Sequence, residues 1–95
     1  MANLVCIQSS IVENVKAMED RAILTQVQAY GDFLSGKFND FQYNAVDSSM
    51  AIIIEECKKI LEVVSVENDH YAIDFNYLSK AQQISVAMSA LSRVA

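Results

Sequence analysis

Tyr43, Val46, Met50, Ile53, Cys57, Ile60 and Val64 follow one another at spacings of 3, 4, 3, 4, 3 and 4. A strand alternates its faces every second residue, so this period belongs to a helix. It lays one apolar stripe over three heptads, as in a coiled-coil seam. Ile52 and Ile54 widen the stripe. The β-branched run Ile52-Ile53-Ile54 taken alone favours a strand, but the helical period around it is far longer. Glu55 and Glu56 precede Lys58 and Lys59 at distances that pair opposite charges along one helix face.

The same period extends to both sides. Leu4, Ile7, Ile11, Val15, Met18, Ala22 and Ala29 form one stripe, and Val5, Val12, Ile23, Val27, Tyr30 and Leu34 form a second. Two stripes suit a helix wedged between two neighbours. Gly31 or Gly36 closes this helix, and Asn39 or Asp40 caps the next. Glu67-Asn68-Asp69-His70 reads as a polar break, after which Tyr77, Ala81, Ile84, Met88, Leu91 and Ala95 resume the helical spacing. Among 95 residues there are two glycines and no proline, which leaves few of the turns an all-β domain needs. The expected fold is therefore all-α. It is a single domain over 1–95, with helices at 4–35, 40–66 and 72–94 in an antiparallel three-helix arrangement with coiled-coil-like packing.

Charge and cysteine bound the function. Seven Lys and Arg stand against twelve Asp and Glu, a net charge of −5, and the cations are scattered. Nucleic acid and anionic membrane surfaces need a concentrated positive field, so neither is an expected partner. The longest uninterrupted apolar run is far shorter than the about 20 residues of a membrane span. Cys6 and Cys57 lie among apolar neighbours and read as two buried free thiols in a reducing, cytoplasmic setting; an intramolecular bridge between them is the alternative. The N-terminus shows no Sec-type signal pattern, which leaves signal-independent secretion open.

Chemistry finds little footing. His70 is the only histidine, and it sits in the polar break, away from the helix stripes that carry both thiols. Glu67, Asp69, His70 and Asp74 offer oxygen and nitrogen ligands, but without the central glycine of a calcium loop or the several Cys and His of a zinc site. Glu67 and His70 match one Glu-x-x-His pair of a di-metal bundle, and no second copy follows. The expectation is no cofactor, no metal and no catalytic residue.

The eight aromatic residues are placed more tellingly. Tyr30, Phe33, Phe38, Phe41 and Tyr43 surround the first connector; Tyr71, Phe75 and Tyr77 surround the second. Large rings plug the ends of a bundle, or they line a surface for a partner. The C-terminal helix is rich in Ser and Gln and poor in charge, as a face in contact with another protein often is. The first helix, about 45 Å long at 1.5 Å per residue, outreaches the third at about 33 Å. Its overhang leaves apolar residues for a second subunit to cover. The reading is a non-enzymatic protein–protein interaction module, an adaptor, regulator or assembly subunit, forming a homo-oligomer. Tyr30, Phe33, Phe38, Phe41, Val5 and Val12 are its candidate partner-binding residues. A small acidic bacterial secretion chaperone, or a helical secretion-apparatus subunit, is the alternative on composition. An enzyme is the third.

Overall fold

A computed structural model describes residues 3–94. The chain runs β1 (Leu4–Ile7), α1 (Ser9–Leu34), α2 (Asp40–Glu62), β2 (Val64–Glu67), β3 (His70–Asp74) and α3 (Phe75–Val94). The fold is mostly helical, as the stripes require, but it is not all-α. A three-stranded antiparallel sheet in the order β1-β3-β2 caps one end. The expected helices at 4–35, 40–66 and 72–94 each lose the end that becomes strand.

The reason lies in period and turn chemistry. Val5 and Ile7 face the core while Leu4 and Cys6 are more open, which is the two-residue alternation of a strand rather than the start of a helix. Val5 is therefore corrected from a helix stripe to β1, where it lies opposite Ile73. In the hairpin of β2 and β3, Glu67 pairs with His70. The two residues between them, Asn68 and Asp69, have φ of 46° and 69°. Positive φ at both positions is the two-residue turn whose twist matches that of paired strands. Asn and Asp enter this region more readily than other non-glycine residues, so the hairpin forms without glycine.

α1 passes through Gly31 and ends at Ser35 and Gly36, where Gly36 takes φ 83° and Lys37 N–H reaches back to Asp32 O at 2.8 Å. Asn39 then opens α2. Its side chain accepts from Gln42 N–H at 2.8 Å, and the Gln42 side chain accepts from Asn39 N–H at 3.0 Å, a reciprocal cap. Asp74 accepts from Asn76 N–H at 3.0 Å as α3 begins.

Ile7, Val12, Val15, Met18, Cys57, Ile60, Ile73 and Ala81 form the core, where the sheet meets all three helices. α1 is the central helix: it packs along both α2 and α3, whereas α2 and α3 barely touch each other. Among the described residues, one exposed ion pair, Lys80 to Glu56 at 2.9 Å, bridges that gap. Asn14 ties α1 to α3, donating to Ser85 Oγ at 2.9 Å and to Ser89 Oγ at 3.3 Å. No described helix is long and apolar enough to cross a membrane.

Candidate functional site

Because α3 is shorter than α1, it stops beside the middle of it. Leu91, near the end of α3, lines a cavity of about 210 Å³ with Met18, Ala22 and Met50. The remaining half of the α1–α2 hairpin projects past this point with no third element against it. Ile23, Val27, Tyr30 and Leu34 fall at spacings of 4, 3 and 4 on this half, and are 42, 63, 51 and 67% exposed. Phe41, at the start of α2, is 81% exposed. Isolated exposed apolar residues are ordinary, but a row of them on one helix face marks an interaction surface.

The aromatic window at the hairpin tip divides into two groups. Phe33 stacks on Tyr43 with ring centroids 5.1 Å apart, and Tyr30 meets Tyr43 at 5.9 Å in a tilted pair. Phe38 is half-buried against a cavity of about 170 Å³ that Ala29, Asp32 and Val46 also line. Phe33, Tyr43 and Phe38 thus close the tip of the hairpin, leaving Tyr30 and Phe41 as its open rings. Val12 is 2% exposed and belongs to the chain's own core, so a partner does not reach it in this fold. Val5 is half-buried on the core side of β1. The open stripe continues toward residue 34, away from Val5 and Val12.

A second feature lies between α2 and α3. Met18 of α1 floors a shallow groove of about 230 Å³, walled by Ile53 and Glu56 on one side and Gln83, Ile84 and Ala87 on the other.

The polar break holds a hollow of about 530 Å³, open to solvent and lined among others by Ser9, Asp69, His70 and Tyr71. The sheet brings Cys6 closer to His70 than helix stripes would. Cys6 lies opposite Ala72, and His70 is two residues along β3 on the same face. No hydrogen bond joins them among the described residues; His70 Nδ1 lies 3.3 Å from Asn68 O instead. Cys6 is exposed rather than buried, and both thiols are free. Cys57 is fully buried. That burial, reinforced by the negative charges of Glu19 and Glu56, pushes its thiol up from 9.0 to about 11. No three His, Cys, Asp or Glu side chains gather as a metal-ligand group among the described residues.

Comparison with protein-family models, with curated proteins and with solved structures finds no match for the chain.

Proposed function

We propose that this chain is a non-catalytic protein-interaction module that docks its partner on the distal half of the α1–α2 hairpin. The observation that carries the reading is the uncovered stripe of Ile23, Val27, Tyr30 and Leu34, joined at the tip by Phe41. Leaving such a row in water costs about 25 cal/mol for each Å² of apolar surface, and a docked protein recovers that cost. Tyr30 and Phe41 are the anchors, because a ring brings a large contact area with few rotatable bonds. The stripe itself is nearly uncharged, with half-buried Asp32 as the one charged residue between Arg21 and Leu34, so it suits a largely neutral partner surface.

A second reading, a small acidic secretion chaperone or secretion-apparatus subunit, draws on the groove over Met18 and the Ser- and Gln-rich α3. In that reading a client segment lies between α2 and α3, whose only ionic bridge among the described residues is Lys80 to Glu56.

The test compares the full chain with V27E and Y30E as baits in extracts of the cells that make it. Capture of a stoichiometric protein by the wild type that both variants lose supports the hairpin. Capture unchanged by both variants, and lost instead on I84E, moves the site to the groove.

A further inference from the structure

The uncovered stripe on α1 has a charge pattern that selects its occupant. Asn14 faces α3 through its hydrogen bonds to Ser85 and Ser89. Ile23 follows nine residues later, about 180° around a helix of 3.6 residues per turn. The stripe therefore lies on the side of α1 turned away from α3. Its 4, 3, 4 spacing is a short coiled-coil seam for which the chain supplies no second helix. Between Arg21 and Leu34 the only charged residue is Asp32, which is half-buried. Asp20 precedes the stripe on α1 and Lys37 follows it in the turn beyond Gly36, both exposed and of opposite sign; Arg21, also exposed, lies about 100° further round α1, away from the stripe.

We propose that the stripe packs against the same stripe of a second copy of this chain, antiparallel, about a two-fold axis between Gln28 and Ala29. This rests on the reading that the distal hairpin is a protein-docking surface, and it names the occupant. Numbers that sum to 57 then meet. Ile23 lies against the partner's Leu34, and Val27 against the partner's Tyr30. Asp20 reaches past the end of the partner's α1, toward the turn that carries the partner's Lys37. The two-fold axis repeats each meeting, so both ends of the seam carry an opposite-charge pair. A parallel alignment sets Asp20 beside the partner's Asp20, which is repulsive. The area is of the right order. Ile23, Leu24, Val27, Tyr30 and Leu34, each leaving roughly 100 Å² in water, supply more than half of the about 800 Å² per side of a standard interface. Residues flanking the seam supply the rest.

Sedimentation of the full chain from 1 to 200 µM (about the range a modest interface occupies) tests this, with circular dichroism checking that each variant keeps its helix content. The expected result is a dimer whose dissociation constant rises by at least about tenfold in V27E, as for an interface anchor. D20K weakens it by about threefold to tenfold, and the double variant D20K/K37D restores it. That rescue belongs to the antiparallel pairing alone, because about 21 Å of α1 separates Asp20 from Leu34, and Lys37 lies in the turn beyond it. A monomer throughout, a dimer indifferent to V27E, or a double variant no better than D20K overturns the proposal. A monomer that still captures a different protein through a V27E-sensitive surface removes the second copy and leaves the docking reading standing. Indifference to V27E in both assays removes both.

Discussion

Cys57 binds its proton more tightly in the folded chain than in the unfolded one, because ionisation would bury a thiolate beside Glu19 and Glu56. The contribution to stability is complete below about pH 9 and is lost as pH rises toward about 11, in total of order 2–3 kcal/mol. C57A removes that alkaline slope and leaves a small void costing about 1 kcal/mol. Urea unfolding at pH 7, 9 and 11 should show the variant less stable at pH 7 and the gap closed or reversed by pH 11. Cys6 behaves differently. It is exposed on the edge strand β1, so a bulky thiol reagent should label one cysteine per folded chain quickly and the second only on unfolding. C6S should abolish the fast phase. The difference between the two thiols was only half legible beforehand. Cys57 lies on a long helical seam that declares its burial, whereas Cys6 has apolar neighbours on either side in sequence. In a strand those neighbours point to the opposite face from Cys6 itself.

At the scale of elements, the hairpin turn holds Asn68 and Asp69 at φ 46° and 69°, where glycine pays no steric penalty. Thermal unfolding of D69G should show a gain of up to about 1 kcal/mol, and N68V a loss of at least that size, since a β-branched residue resists this conformation. The turn also explains why the sheet escaped the sequence. A scarcity of glycine and proline argues against tight turns, but Asn-Asp serves in their place. Val64 and Val66 alternate with Ser65, and Tyr71 and Ile73 alternate with Ala72. This two-residue period brackets the turn, but each run is too short to compete with the heptads beside it. By contrast, the long stripes were readable, and so were a stop at Gly31 or Gly36 and a cap at Asn39 or Asp40, because each rests on local chemistry; the structure selects Gly36 and Asn39. The overhang of α1 was readable too, since it follows from helix lengths alone. Its end was not: choosing between Val12 and Val27 requires knowing which end of α1 the shorter helix leaves bare.

The whole molecule is elongated, with extents of 51 × 30 × 18 Å. Near the sheet, α1 is held by α2, α3 and β3; at the far end it is held by α2 alone. Opening free energy should follow that difference. In hydrogen exchange at low concentration, amides of 26–34 and 43–50 should exchange faster than those of 55–60 and 71–73. Raising the concentration should slow the 23–34 segment selectively, as the proposed antiparallel pairing requires; uniform exchange along α1 at every concentration would contradict both expectations.

The pairing of Leu4–Ile7 with Tyr71–Asp74 closes a loop around most of the chain. Local contacts let the α1–α2 hairpin fold early, but β1 has no hydrogen-bonding partner until β3 exists. On the ribosome, at about 5–20 residues per second, β3 follows β1 after roughly 3–13 s. Throughout that interval Leu4–Ile7 is an uncharged, unpaired strand carrying a free thiol. The nascent chain is thus open to misassociation at this strand, and completion of the last hairpin closes one edge of β1, whereas Cys6 stays exposed to oxidation in the folded chain as well.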